Sequence, residues 1–206
     1  MIDHLVYATP DLDAAVEWMA AALGVRPTPG GRHPGLGTRN ALLDLGSGAY
    51  LELIGIDDEA GAAAGGGRPF GLDCIAGPRL AAWAARAVGI DQCVARARRF
   101  GYDPGPVQSM SRRRPDGTEL HWRLTSPGLQ AVELLPFLIE WADDAPHPSR
   151  TSATGCRLVS FTGAHPDPDA IEPMLRTLGL EFAVVPGPSA ALRAVIEGPA
   201  GAVSLS

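Results

Sequence analysis

The feature that most constrains the fold is an internal repeat of about 80 residues. Residues 2–54 predict a strand, a helix and three further strands, and the same order of elements returns from residue 79 onward. The aligned positions are Asp13 with Asp91, Val16 with Val94, Gly37-Thr38 with Gly117-Thr118, and Glu52 with Glu133. A repeat of this length indicates supersecondary units that bury a common core by packing on one another.

Local signals support the first unit. The segment IDHLVYATP is an apolar run rich in β-formers and predicts a strand. The segment DLDAAVEWMAAALGV has apolar residues at helical spacing, with Asp11 or Asp13 available as an N-cap and Gly24 as the stop. The segments TRNALLDLG and GAYLELIG, separated by GSG, predict the last two strands.

The second and third units follow the same signals. In the second, RLAAWAARA predicts a strand, GIDQCVARARRFGY a helix, PGPVQSM a weak strand, and DGTELHWRLT with GLQAVELLPF a pair of strands. The third unit is shorter and reads CRLVSFTGA, DPDAIEPMLRTLGL, EFAVVP, AALRAVIEG and GAVSLS. The Gly-rich segment 60–67 and the Pro-rich segment 143–155 predict surface connections between units.

This alternation predicts an α+β fold in which mixed sheets carry their helices on one face. We predict one domain over residues 1–142, made of units at about 1–58 and 78–142. A degenerate third unit over 150–206 is expected to pack on the same domain.

The basic residues exclude several classes of enzyme. All 17 are Arg, and the chain contains no Lys. Schiff-base enzymes, pyridoxal-phosphate enzymes and phosphate-loop nucleotidases need a lysine, so these classes are excluded. The net charge of −6 argues against a general nucleic-acid partner. No apolar run reaches the roughly 18–20 residues of a membrane helix. The first residues do not form a signal peptide, and the three cysteines lack CxxC spacing, so we expect reduced thiols and a cytoplasmic protein.

Six stretches are typical of a known family: DHLVYATPDLD (3–13), GGRHPGLGTRNALLDLG (30–46), YLELIG (50–55), RRRPDGTELHWRL (112–124), LPFLIEW (135–141) and HPDPD (165–169). Together they resemble the vicinal-oxygen-chelate superfamily, and in particular its bacterial glyoxalase-like branch. The superfamily includes glyoxalase I, extradiol dioxygenases and drug-sequestering resistance proteins. The resemblance implies repeated β-α-β-β-β units that form cupped mixed sheets, with helices on the outer face and a divalent metal in the cup.

The resemblance also implies a set of metal ligands. His4 matches the first-strand ligand of the family, and Glu52 matches the fourth-strand carboxylate of the first unit. Glu133 matches that carboxylate in the second unit, and we also expect it to be catalytic. The second-unit counterpart of His4 is Ala82 or Trp83, so this ligand is missing.

His121 is the expected replacement. Alternation along ELHWRLT places His121 and Arg123 on one face of a strand and Trp122 on the other. His4, Glu52, His121 and Glu133 are therefore expected to point into one cup. Imidazoles with carboxylates suit Fe(II), Mn(II), Zn or Ni as the ion. The alternatives are a core histidine at His4, a solvent-facing His121, and ion pairs to Arg39 or Arg123 for the two glutamates.

Further polar residues on the same segments are expected to contact substrate. His33, in a Gly-rich loop, is expected to transfer protons or to stabilise a turn. Asn40 is expected to orient a ligand. Three arginines are expected to bind an anionic group of the substrate, namely Arg112, Arg114 and Arg123. For Arg112 and Arg114 the alternative is a solvated loop.

Two functions follow. The first is a metal-dependent lyase, isomerase or dioxygenase that acts on a small oxygenated metabolite. The alternative is a metal-free protein that sequesters an aromatic or natural-product ligand. Convergence of His4, His121 and a glutamate on one point of the cup favours the enzyme, whereas occupation of that point by the Trp83 ring favours the binding protein. The expected partner is a small molecule, without nucleic acid or membrane, and the expected assembly is a homodimer.

Overall fold

The structure, a computed structural model, describes residues 1–60, 67–113, 117, 119–126, 134–142 and 146–206. The first-unit strands are β1 Ile2–Ala8, β2 Thr28–His33, β3 Thr38–Asp44 and β4 Tyr50–Ile56. The second-unit strands are β5 Arg79–Arg86, β6 Val107–Arg113, β7 Glu119–Thr125 and β8 Phe137–Trp141. The remaining strands are β9 Arg157–His165, β10 Ala183–Pro186, β11 Ala191–Gly198 and β12 Gly201–Leu205. The helices are α1 Leu12–Leu23, α2 Ile90–Arg99 and α3 Pro168–Thr177.

Strands β1–β8 form one mixed sheet in the order β2-β3-β4-β1-β5-β8-β7-β6. The two units are joined by the antiparallel pair β1 and β5 at its centre. On each side of this pair the fourth strand of the unit lies parallel to the first, so β4 pairs with β1 and β8 with β5. The two halves are thus related by an approximate two-fold axis, and the predicted cupped α+β fold is confirmed.

The last strand of the second unit differs from the prediction. The segment GLQAVELLPF is expected to form it, but β8 begins at Phe137, and residues 134–136 lie outside any strand. Residues 127–133 lie outside the described part of the chain. The parallel pairing of Ala84 with Phe137 explains the later start, because it places the buried run FLIEW beside β5. Pro136, just before this run, has no N–H to donate to a sheet.

Helix α1 begins and ends where the sequence signals predict. The Asp11 carboxylate accepts a hydrogen bond from the Ala14 backbone N–H at 3.0 Å, which caps the helix. Gly24 ends the helix with φ at 75°, in the left-handed region that favours glycine. The buried side of α1, with Val16, Met19 and Leu23, packs on the outer face of the sheet.

Residues alternate between the two faces of the sheet. On β1, Leu5 and Tyr7 belong to the larger core, which also contains the buried sides of α1 and α2. Val6 and Ala8 belong to a second apolar cluster on the inner face. The sheet curls so far that its edge strands, β2 and β6, come into contact, and this curvature forms the cup.

The C-terminal segment forms a separate four-stranded sheet in the order β10-β9-β11-β12. It repeats the order of elements of the other units but not their strand order. Here β9 lies parallel to β10, the strand that follows the helix, whereas β1 lies parallel to the last strand of its unit. Trp83 joins the two sheets by packing against Phe161 and Phe182. The division into a domain and a third unit stays a prediction.

None of the helices in the described part of the chain combines the length and the apolar character that crossing a membrane requires.

Candidate functional site

The concave face of the eight-stranded sheet holds a cavity of about 340 Å³. Strands line it with every second residue, as a pleated sheet requires. The lining side chains are Tyr50, Glu52 and Ile54 from β4, Gln108, Met110 and Arg112 from β6, Trp122 and Leu124 from β7, and Phe137, Ile139 and Trp141 from β8. His4, His33, Leu36, Asn40, Pro69 and Phe70 complete most of the wall. The cup therefore combines a polar end with a largely apolar wall.

His4 is held rigidly at the polar end. Its ring stacks on Tyr50 with centroids 4.7 Å apart, and Phe137 approaches the ring edge at 5.4 Å. Nδ1 lies 2.8 Å from the Asp3 carboxylate, and Nε2 lies 3.8 Å from Oε2 of Glu52. A proton on Nδ1, donated to Asp3, leaves the Nε2 lone pair facing Glu52. The structure therefore brings His4 and Glu52 together in the wall of the cup.

Asp3 is a buried carboxylate with several partners, and the sequence analysis does not single it out. It is fully buried and accepts from His4, from Nε of Arg86 at 2.8 Å and from Nε1 of Trp141 at 3.1 Å. His147 Nε2 lies 3.1 Å from the same carboxylate. Burial by itself raises the pKa of Asp3, but the hydrogen bonds and charges of His147 and His4 outweigh this and hold that pKa far below its usual range. Asp3 is therefore ionised and orients the His4 ring.

Glu52 is the first link of a polar chain that reaches across the cup. Its Oε1 accepts a hydrogen bond from Nδ2 of Asn40 at 2.5 Å. Oδ1 of Asn40 in turn accepts from Nη1 of Arg112 at 3.3 Å. Arg112 is 6% exposed, so a guanidinium group stands in the cavity wall with little water around it. The chain joins β4 and β3 of the first unit to β6 of the second.

Gly30 provides the space in which this chain forms. A Cβ atom at Gly30 would lie 2.2 Å from Oδ1 of Asn40 and 2.9 Å from Nη1 of Arg112. Contacts as short as these are not compatible with an unchanged structure. The glycine on β2 therefore allows Asn40 and Arg112 to meet at the closed edge of the cup.

His33 and Tyr50 are both held in their neutral forms. His33 ends β2, and its Nδ1 lies 3.0 Å from the Thr38 hydroxyl. Burial lowers the pKa of His33, the Glu52 charge opposes this, and the Arg112 charge adds to it. Burial also raises the pKa of Tyr50, and the charges of Asp3 and Glu52 raise it further. At neutral pH the site thus contains a neutral imidazole and a neutral phenol.

His121 and Arg123 lie on the opposite face of β7 from the cavity. They alternate with Trp122 and Leu124 as predicted, but the apolar pair is the one that points into the cup. Arg123 pairs there with Asp91 at 2.8 Å, and His121 is exposed beside Glu119. The expected convergence of His121 with His4 is therefore not observed. The physical reason is that Trp122 and Leu124 bury more apolar surface inside the cup.

The position that corresponds to Glu52 in the second unit is occupied by an aromatic ring. Rotation about the Leu5–Trp83 pair of β1 and β5 relates Val6 to Ala84. Their parallel neighbours are Glu52 and Phe137 respectively. Two further predicted site residues, Glu133 and Arg114, lie outside the described residues.

The described side chains do not fit a metal site with four protein ligands. The same rotation relates His4 to Ala82, so the second half offers a methyl group and the Phe137 ring where the first half offers His4 and Glu52. In the described residues, no three His, Cys, Asp or Glu side chains are grouped so as to hold an ion. The donor set visible here is one imidazole and one carboxylate.

Trp83 does not enter the cup. It is 1% exposed on the other face of β5, and its indole N–H donates to the Leu134 carbonyl at 2.8 Å. The aromatic residues that do line the cup, such as Phe70, Trp122 and Phe137, are functional candidates that sequence reasoning missed. For Trp122 the available signal was its alternation with His121 and Arg123, but alternation alone does not say which face of a strand points into the cup.

A model of the glyoxalase-like domain family matches residues 2–179 of the chain. No curated protein matches it.

The comparison with solved structures finds similarity to a protein of unassigned function and to two epimerases. A hypothetical protein from Staphylococcus aureus is 13% identical, with a TM-score of 0.63 over 92% of this chain and 87% of that chain. Methylmalonyl-CoA epimerase from Mycobacterium tuberculosis is 28% identical over 68% of this chain and 87% of that chain, with a TM-score of 0.45. The Streptomyces coelicolor epimerase in complex with 2-nitronate-propionyl-CoA is 24% identical over 68% and 96%, with a TM-score of 0.45. The similarity to the staphylococcal protein shows that the fold is shared over most of the chain.

Proposed function

Because the chain belongs to the glyoxalase-like domain family, we propose that it is an enzyme of the isomerase or lyase type that moves a proton on a small oxygenated substrate. The observation that carries this proposal is the placement of His4 Nε2 and Glu52 Oε2, 3.8 Å apart, in the cavity wall. Two basic groups this close are suited to take up one proton and to pass it on.

The reacting group is a carbon next to a carbonyl. The C–H bond breaks, its proton moves to Nε2 of His4, and its electron pair forms the double bond of an enolate or enediolate. The imidazolium that results lies between the Asp3 and Glu52 carboxylates, which stabilise its charge. Return of the proton to another atom of the same intermediate completes an isomerisation, so no further reactant is consumed.

The remaining polar residues stabilise the oxygen that gains charge. Arg112 is the buried cation of the described lining, and Asn40 holds it in place. A guanidinium group in a site with little water stabilises an enolate oxygen or a neighbouring carboxylate strongly. His33, being neutral, is able to pass a proton between substrate and solvent.

Deuterium exchange tests this function. The probes are 2-oxobutanoate and 4-phenyl-2-oxobutanoate in D2O, with exchange at the carbon beside the carbonyl followed by proton NMR. The protein is expected to accelerate exchange, and His4→Gln and Glu52→Gln are each expected to reduce the rate by about 100-fold or more. His121→Gln, on the outer face, is the matched control and keeps the full rate. Exchange at the buffer rate, or a fully active His4→Gln variant, contradicts the proposal.

Metal ligation by His4 and Glu52, together with Glu133 from outside the described residues, stays a prediction, as does a dioxygenase reaction that depends on it. His121, on the outer face of β7, is not part of this ligand set. Elemental analysis of protein purified without a His tag tests it directly. A stoichiometric ion that disappears in His4→Ala supports ligation, and metal-free protein with full exchange activity contradicts it.

The second candidate function is a metal-free binding protein for an aromatic ligand. It is favoured by the apolar wall of the cup and by Phe137 in the place of a carboxylate. Under this function a ligand binds tightly and unchanged, and His4→Gln leaves its affinity intact. Cytoplasmic location and a homodimer also stay predictions.

A further inference from the structure

We propose that the two halves of the cup bind different parts of one ligand. The first unit and Arg112 bind its oxygen-bearing head group, and the second unit binds its flat apolar body. The ligand class is then an aromatic compound with a single carboxylate or keto-acid head. This deepens the proposed function, because the head is the end at which that proton transfer takes place.

The lining residues are distributed unequally between the units. The first unit contributes the titratable pair His4 and Glu52, together with His33 and Asn40. The second unit contributes six apolar side chains, Met110, Trp122, Leu124, Phe137, Ile139 and Trp141, and three polar residues, Gln108, Arg112 and Ser126. A ligand that lies across the cup therefore meets hydrogen-bonding groups at one end and apolar surface at the other.

Strand β6 contains the boundary between the two ends. Arg112 and Met110 lie two residues apart on it and point into the same cavity. Arg112 connects to the polar chain through Asn40. Met110, half-buried, lies in register with Trp122 of β7. The guanidinium group of Arg112 thus contacts the head of the ligand, and the thioether of Met110 on the same strand contacts its body. A thioether packs well against aromatic rings.

Aromatic rings line the cup from its polar end outward, since Phe137 approaches the His4 ring and Trp141 donates to Asp3. Trp122 and Trp141 lie 5.4 Å apart with planes inclined by 44°, and Phe70 and Phe137 lie 6.3 Å apart with planes inclined by 40°. Tilted arrangements of this kind accept a further ring in offset or edge-to-face contact. A flat aromatic body matches such a wall.

Phe70 is held over the cavity at a cost in backbone strain. Its φ of 59° lies in the left-handed region, which a residue of this size rarely adopts. The Phe70 carbonyl accepts a hydrogen bond from Nη2 of Arg79 at 3.2 Å, and the ring is 7% exposed. Strain that is maintained by its surroundings is concentrated at ligand-binding positions. Phe70 thus acts as a specificity residue at the apolar end.

The size of the cup sets the limit on the body. A cavity of about 340 Å³ is at the lower end of the range for small-molecule sites. Beside Pro69 in the wall, the guanidinium of Arg68 is paired with Asp73 at 2.6 Å, so it is engaged by a carboxylate. A single-ring acid matches this site better than a phosphorylated carrier does.

Calorimetric titration of the full chain tests the inference with four probes: 4-phenyl-2-oxobutanoate, 2-oxobutanoate, 4-phenylbutan-2-one and propionyl-CoA. The phenyl acid is expected to bind at least about tenfold more tightly than 2-oxobutanoate, since a ring buried in an apolar pocket contributes this much or more. It is also expected to bind at least about tenfold more tightly than the ketone that lacks the carboxylate, since a hydrogen bond to a charged group is lost. Propionyl-CoA is expected to bind most weakly.

Two variants on β6 separate the ends. Met110→Gln keeps the length of the side chain but places an amide in the apolar end, and it is expected to reduce the preference for the phenyl acid over 2-oxobutanoate. Met110→Leu is its matched control and keeps the preference. Arg112→Gln is expected to remove the preference for the acid over the ketone. Thermal unfolding of each variant confirms that it is folded.

The outcomes separate this inference from the proposed function. Equal affinity for the phenyl acid and 2-oxobutanoate, or tighter binding of propionyl-CoA, overturns the inference whatever the exchange assay shows. Phenyl-acid preference without any proton exchange supports the inference and contradicts the proposed enzyme. Loss of both preferences in Met110→Gln, in a folded protein, contradicts the division between the two ends.

Discussion

Asp3 and His4 are neighbours in strand β1, yet their side chains are hydrogen-bonded to each other, with His4 Nδ1 2.8 Å from Asp3 Oδ1. Successive residues of a strand normally point to opposite faces. The pairing of β1 with β5 is irregular between Ile2 and His4, and an irregularity of this kind turns a side chain away from its regular direction. The contact therefore depends on a local departure from regular sheet geometry.

The first prediction concerns the orientation of His4. Asp3→Asn is expected to lower the exchange rate by about 10- to 100-fold, because the group that fixes the tautomer of the ring is lost. The measurement is the pH profile of the exchange rate, which a purely structural defect leaves unshifted. Asp91→Asn, on the outer face, serves as control. An unchanged rate and profile in a folded Asp3→Asn protein contradicts the role of Asp3.

The second prediction concerns stability in acid. The folded-state pKa of Asp3 lies below its unfolded value, so its contribution to stability is present above that value and is lost as the pH falls. The free energy of unfolding of the wild type is expected to decline below about pH 4. The free energy of unfolding of Asp3→Asn is expected to be lower at pH 7 and to decline less steeply as the pH falls. Urea titrations between pH 7 and pH 3 measure both curves, and parallel curves contradict the prediction.

The third prediction concerns His33. Burial lowers the pKa of His33 in the folded state below its value in the unfolded state. The contribution of His33 to stability is therefore fully present above the unfolded-state pKa and decreases as the pH falls from there towards the folded-state pKa. The wild type is expected to lose stability below about pH 6.5, with a slope of at most about 1.4 kcal/mol per pH unit from this group. His33→Gln removes this part of the slope. The difference between the two unfolding curves isolates His33 from the other histidines.

The fourth prediction concerns the closed edge of the cup. Gly30→Ala places a methyl group against the Asn40 and Arg112 side chains and is expected to cost about 1–3 kcal/mol of stability. It is also expected to weaken binding of the carboxylate probe more than that of its ketone analogue. Gly77→Ala, where nothing lies within 4 Å of the added atom, is the control. Equal behaviour of the two variants would show that Gly30 does not provide the space.

The fifth prediction concerns the contact between the two sheets. Trp83→Ala is expected to lower the free energy of unfolding by about 3–5 kcal/mol, because a large, fully buried ring that packs against Phe161 and Phe182 is removed. Trp83→Phe keeps most of the apolar surface but loses the hydrogen bond to Leu134, so a smaller loss is expected. Denaturant unfolding measures both, and a small effect of Trp83→Ala contradicts a joining role for this residue.

Most helices and strands were predictable because their signals are local. Asp11 caps α1, Gly24 ends it, and the apolar runs on either side have the periods of their elements. The position of the last strand of the second unit was not predictable, because the β-like segment before Pro136 and the run after it are equally apolar. Pairing with β5 places that strand at Phe137–Trp141.

The site was predictable in part. His4, Glu52, His33, Asn40 and Arg112 line one cavity, as their positions in the repeat and its loops predict. His121 and Arg123 do not, because alternation identifies the two faces of a strand without saying which one is concave.

The sequence by itself determined the order of elements, the pairing of two units and the presence of an imidazole and a carboxylate on neighbouring strands, since each depends on spacing along the chain. The tertiary structure alone decided which face of β7 points into the cup and that Phe137 occupies the position that corresponds to Glu52. It also decided that Asp3 supports His4 and that Gly30 leaves room for Arg112. These depend on curvature, on register and on an irregular pairing, which arise only when distant strands pack together.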